Sequence, residues 1–175
     1  LNKSNKKAKL FANNIFNILF LTLLAIILLI EIFMPFFVSL IAPGFKEDSE
    51  KLELAINLTR VTFPFLLLVS LSSFFSAILN SHNKFAAASA APIILNIVLI
   101  FVLLFGKLLD DKLVYYISYA VTFAGLLQLI FLALFVKKYF VPKISFNFKK
   151  NKNIQLFFKK LLPSIFSSGV TQINI

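Results

Sequence analysis

Apolar residues in this chain fall into long, nearly unbroken runs separated by short clusters of lysine and acid. The first runs from Ile15 to Ala42, interrupted only by Glu31 and Pro35. Others cover residues 61–79, 85–106 and 113–136, and a fifth starts near 158 and continues to 175. Crossing a bilayer takes about 20 apolar residues at roughly 1.5 Å of rise each. Each complete run therefore predicts one transmembrane helix, and the fifth the start of another. Barrel strands would be about 10 residues long and would alternate apolar with polar, which these runs do not. The expected fold is all-α: a polytopic transmembrane helix bundle. Because the chain starts at Leu1 and stops at Ile175 inside an apolar stretch, residues 1–175 read as one partial transmembrane domain of a longer protein.

Composition strengthens this reading. Of 175 residues 59% are hydrophobic and 14% charged, and the mean hydropathy is +0.91, whereas a soluble domain would be about half apolar and a quarter charged. The lysines before the first run resemble the start of a signal peptide. That run is too long, however, and no Ala-x-Ala-like cleavage site follows it, so it is read as retained.

The net charge of +11 invites a nucleic-acid reading until the lysines are placed. Lys3, Lys6, Lys7 and Lys9 precede the first run, Lys84 lies between the second and third, and eight lysines without an acid occupy residues 137–160. These 13 share one side of a serpentine topology, against Lys46, Lys51, Lys107 and Lys112 on the other. Basic loops stay cytoplasmic, so the amino-terminal tail is expected inside and nucleic acid is not an expected partner. Tyr115, Tyr116 and Tyr119 at one end of the fourth run, and Tyr139 beyond its other end, suit the two membrane interfaces. Membrane lipids are expected partners, with the Lys137–Lys160 segment lying against the inner leaflet.

Catalysis fails on inventory. There is one histidine, His82, and no cysteine; six of the seven acids lie in loops, and the four glycines are scattered. No catalytic residue, metal site or cofactor is expected, and no enzyme. The informative groups are polar residues inside the runs. Glu31, near the outer end of the first run, and Arg60, at the outer mouth of the second, admit three readings: snorkelling to the interface, an ion pair, or a substrate or proton role. Ser70, Ser73, Ser76, Ala77 and Asn80 recur at helical spacing, as do Ser118, Thr122, Gly125 and Gln128, while the third run adds Asn96. Such stripes allow close helix approach; the sharper alternative is a transport cavity lined by Ser73, Asn80, Asn96 and Gln128. Pro35, Pro64, Pro92 and Pro163 are candidate kinks.

Several motifs in order carry a family resemblance. Ala42-Pro43-Gly44-Phe45 is followed by Leu58-Thr59-Arg60-Val61-Thr62-Phe63-Pro64-Phe65-Leu66-Leu67 and then Ser76-Ala77-Ile78-Leu79-Asn80-Ser81 with Lys84-Phe85. Ala91-Pro92-Ile93-Ile94-Leu95-Asn96-Ile97, Ala120-Val121, Gly125, Leu127-Gln128-Leu129, Pro163 and Gly169-Val170-Thr171-Gln172-Ile173 come next. Together they resemble the MurJ/MviN family of lipid II flippases, which are similar to multidrug, oligosaccharidyl-lipid and polysaccharide exporters. The resemblance implies two pseudo-symmetric lobes, of which this chain would cover roughly helices three to seven in the amino-terminal lobe. It also implies that the main cationic residues of the central cavity lie outside the chain, so substrate-binding residues are left unassigned and Arg60 is not given the pyrophosphate.

The implied function is part of a flippase moving undecaprenyl-pyrophosphate-linked peptidoglycan precursor, lipid II, across the bacterial cytoplasmic membrane for cell wall biogenesis and cell shape. A coupling ion or the membrane potential would drive it. Two alternatives stand beside it: a related exporter of another lipid-linked oligosaccharide or a drug, and a non-transporting membrane scaffold for cell-wall enzymes.

Overall fold

The computed structural model describes residues 3–106, 112–145, 154–161 and 163–164. Among them every regular element is helical: α1 (Lys3–Ile32), α2 (Met34–Ile41), a 3-10 turn (Pro43–Glu47), α3 (Ser49–Thr62), α4 (Phe65–Ser81), α5 (Phe85–Gly106) and α6 (Leu113–Val136). Residues 154–161 are helical as well. Hydrocarbon offers no hydrogen bonds to the main chain, so an apolar run must satisfy its N–H and C=O groups internally. Among the described residues four stretches are long and apolar enough to cross a bilayer: Lys6–Ile32, Ser49–Ser81, Phe85–Gly106 and Leu113–Val136. The run expected over 158–175 lies largely outside the described residues.

Two elements differ from the expectation. The first run is not one helix from 15 to 42. Its helix begins back at Lys3, inside the lysine cluster, and stops at Ile32; Phe33 turns the chain, with φ −98° and ψ 20°. Pro35 then sits in the first turn of α2, where its missing N–H is tolerated, although that absence removes the donor that would have reached the Glu31 carbonyl. The charged stretch between the first two runs, which their separation leaves as a loop, is helical from Ser49 onward. Asp48 is the reason: its carboxylate accepts the Lys51 N–H at 3.1 Å and pairs with the Lys51 ammonium at 2.8 Å, while Glu50 occupies the positive end of the helix. The Lys51 side chain, and then its amide, hold the Asp48 carboxyl below the usual range.

The described residues group into two compact units, one formed by residues up to Ile18 with those from Pro142 on, the other by Leu19–Val141. In the larger unit α6 packs against α3, α4 and α5. It buries Ala120, Ala124, Gln128, Leu132 and Val136 at four-residue steps, and α4 does the same with Leu71, Phe75 and Leu79. Lipid tails are as apolar as these side chains, so close packing and hydrogen bonds, rather than escape from water, hold the helices together.

The decisive contact lies at the α3–α4 break. Pro64 has no N–H, and carbonyls in the last turn of α3 lose their intrahelical donors. The Thr122 hydroxyl of α6 donates to one of them, the Val61 carbonyl, at 2.6 Å. One turn later Gly125 supplies the room: a Cβ there would meet the Phe65 ring at 2.5 Å and the Leu68 Cβ at 3.3 Å. The Ser118, Thr122, Gly125 stripe thus admits the broken helix.

Two substitutions separate these effects. Thr122→Val keeps the shape and removes the bond, with an expected loss of about 0.5–1.5 kcal/mol. Gly125→Leu pushes α4 off α6, with an expected loss of about 1–3 kcal/mol. Thermal unfolding in detergent measures both, and a Gly125→Leu protein with unchanged Tm would contradict the packing.

Candidate functional site

Several hydroxyls in the spans turn back on their own helices. Thr59 donates to the Ala55 carbonyl at 2.7 Å, Thr62 to Leu58 at 3.0 Å, Ser73 to Val69 at 2.9 Å and Ser118 to Val114 at 3.0 Å. This satisfies the group without a neighbour, so a serine stripe does not by itself make a polar cavity. Of the four cavity candidates, Ser73 and Asn80 on α4 and Asn96 on α5 are exposed, whereas Gln128 is buried in the inward face of α6. The structure does not gather the four around one space.

Glu31 and Arg60 are not joined. Among the described residues the ion pair is Lys51–Asp48, and the buried Glu31 Oε1 has no hydrogen-bond partner. Arg60 stands exposed in the last turn of α3, where the helix dipole favours a cation. It borders a groove of about 950 Å³ between the α3–α4 break, α5 and α6. Pro64, Ile97, Phe101 and Tyr119 are among its lining residues, which are overwhelmingly apolar; none of the four cavity candidates belongs to them. Ser72, not singled out from the sequence, is buried in α4 with its Oγ unpartnered.

A second polar arrangement was not legible in the sequence. In the smaller unit Asn13 and Asn17, one helical turn apart on α1, hold the extended chain that follows α6. Asn13 Nδ2 donates to the Lys143 carbonyl at 3.0 Å and its Oδ1 accepts the Lys143 N–H at 2.7 Å. Asn17 Nδ2 donates to the same carbonyl at 2.9 Å, and its Oδ1 accepts the Ser145 N–H at 3.0 Å. Each carboxamide presents the donor and acceptor of a peptide group, so the pair acts as a short surrogate strand. Asn17 is 1% exposed. The polar Asn13, Asn14 and Asn17 at the edge of an apolar run are the sequence signal; their partners in the 143–145 segment are too distant in sequence to infer.

Among the described residues no group of three or more His, Cys, Asp or Glu is placed to hold a metal ion. What remains is a set of helices with breaks, an apolar groove and isolated polar groups. Comparison with known proteins gives this arrangement its context. The family model described as "Lipid II flippase MurJ" matches residues 1–175. The chain belongs to the MurJ family. It is 39% identical over 98% of its length to a probable lipid II flippase MurJ of Rickettsia prowazekii (strain Madrid E), covering 34% of that protein. It is 38% identical over 96% of its length to one of Rhizobium tropici, covering 32%, and 34% identical over 99% to one of Buchnera aphidicola subsp. Acyrthosiphon pisum (strain APS), covering 34%. The chain thus spans about a third of the length of the curated relatives it matches. Membership of the MurJ family, together with four stretches able to cross a bilayer, makes it a multi-pass membrane protein.

The carboxamide clamp is testable. Asn17→Ala removes the bonds to the Lys143 carbonyl and the Ser145 N–H and is expected to cost about 1–3 kcal/mol, whereas Asn14→Ala, one position from Asn13, should stay within about 0.5 kcal/mol of the parent. Thermal unfolding in detergent distinguishes them; equal effects would remove the clamp's role.

Proposed function

We propose that this chain is part of a flippase carrying lipid II across the bacterial cytoplasmic membrane. The supporting observation is the family match over all 175 residues. The physical task fits a helix bundle. A sugar-peptide pyrophosphate cannot enter hydrocarbon, because burying its charge costs far more than any available compensation. A protein must therefore give it a polar path that opens to each side in turn, and no bond need be broken, so the reading is transport and not catalysis. The cavity's main cations are assigned to segments outside this chain.

Within the chain, Ser73, Asn80 and Asn96 are the exposed polar groups available to such a path, and buried Gln128 is available to brace it. For Glu31 and Arg60 the remaining readings are snorkelling to the outer interface and a substrate or proton role, and no coupling-ion site is assigned. The lysine distribution supports a cytoplasmic amino terminus, with the α4–α5 turn on the same side. An ion gradient or the membrane potential supplies the drive.

Two experiments test this. Expression of the full-length gene in a strain depleted of its own lipid II flippase should restore growth and rod shape; failure combined with rescue of a polysaccharide-export mutant would assign a different lipid-linked cargo. Residues 1–175 hold no cysteine, so with any cysteine elsewhere in the full-length protein replaced, one placed among them is the single labelling site. Ser49→Cys should react with an impermeant maleimide in intact cells and Ser81→Cys only after lysis. The opposite pattern would invert the topology.

A further inference from the structure

At the end of the larger unit opposite the Asp48 cap, the α4–α5 turn and the end of α6 enclose a space of about 410 Å³. Its walls are fixed by backbone bonding. Asn83 adopts φ 59°, a left-handed conformation that Asn tolerates, and closes α4. The Lys84 N–H reaches the Leu79 carbonyl at 2.9 Å and the Asn83 N–H the Asn80 carbonyl at 3.0 Å, the paired bonds of a Schellman motif. On the other wall the Tyr139 N–H bonds the Val136 carbonyl at 2.8 Å, and its ring lies 4.3 Å from that of His82. The turn and the α6 terminus are thus held together.

The lining is divided by chemistry. Lys84, Lys138, Asn83 and Tyr139 supply the polar part, and the rings of Phe85 and Phe135, both about half exposed, supply much of the apolar part. No acid lines the space, and the ion pair among the described residues is elsewhere, at Lys51–Asp48, so among those residues neither ammonium group pairs with a carboxylate. Two cations beside exposed aromatic rings match a molecule with an anionic phosphate at one end and hydrocarbon at the other. A soluble phosphate would leave the rings without contacts; a zwitterionic lipid would bring its own cation against the lysines.

We propose that this space is a binding site for one anionic glycerophospholipid, its phosphate on Lys84 and Lys138 and an acyl chain along Phe85 and Phe135. None of Ser73, Asn80, Asn96 and Gln128 lines this space, and the proposal does not depend on which lipid is carried. It places the α4–α5 turn and the end of α6 under the control of the leaflet they face.

Native mass spectrometry of the protein, purified in detergent and offered equal phosphatidylglycerol and phosphatidylcholine, tests the site. A retained phosphatidylglycerol adduct is expected, reduced about tenfold in Lys84→Gln/Lys138→Gln and kept in Lys159→Gln/Lys160→Gln, which removes the same charge from the exposed helix 154–161. Phe135→Ala should also weaken retention, while excess inorganic phosphate should not displace the adduct. Tm in detergent confirms that each variant is folded. Equal loss in the two double-lysine variants, equal retention of both lipids, or displacement by phosphate alone would overturn the proposal.

Discussion

The bond from the Thr122 hydroxyl to the Val61 carbonyl answers the constraint that governs the whole molecule: main-chain polar groups in hydrocarbon must find partners within the protein. A helix without an internal proline, such as α6, meets it locally, and α5 does so except at Pro92, which removes one donor from its interior. A broken span does not, and the α3–α4 junction at Phe63 and Pro64 leaves carbonyls that only a neighbour can serve. α6 is that neighbour because its face combines a hydroxyl at 122 with a missing side chain at 125. The position of α6 against α4 follows from this pairing, and the ladder of Ala120, Ala124, Leu132 and Val136 packs around it.

Where the sequence was informative, the signal was local. α5 and α6 have bounds visible as changes of composition: Lys84 before Phe85, Gly106 at the end of α5, Lys112 before Leu113 and Lys137 after Val136. The start of α3 was obscured because charge density reads as loop, although Asp48 and Glu50 together form a helix-start signal that outweighs it. The break at Phe33 was harder. Pro35 pointed to a kink, but the same residue is accommodated in the opening turn of a new helix, and composition does not distinguish the two.

The candidate site was less legible than the fold for a related reason. Spacing tells which residues share a helix face but not what the face meets. Ser73 and Ser118 share the same intrahelical bond, yet one is exposed and the other buried. Gln128 belongs to the ladder that packs inside the larger unit, while Asn96 looks outward. Glu31 and Arg60 occur near span ends, a placement compatible with pairing, but the side chains do not meet. Apolar surface dominates the outside: Leu29, Ile32, Ile97, Ile100, Leu104 and Leu134 are all exposed, as lipid-facing or helix-facing positions are.

The Asn13 and Asn17 carboxamides join positions 126–130 residues apart in the chain. A ribosome makes the two asparagines long before it makes their partners, so α1 enters the bilayer with both Oδ1 atoms still unmatched, while Asn17 Nδ2 reaches the Asn13 carbonyl at 2.8 Å within the helix. They can be hydrated only while they remain at the polar boundary, which stops the first helix from sliding deeper. Arrival of the segment at 143–145 then locks a depth already chosen, making the last-threaded stretch the latch on the first.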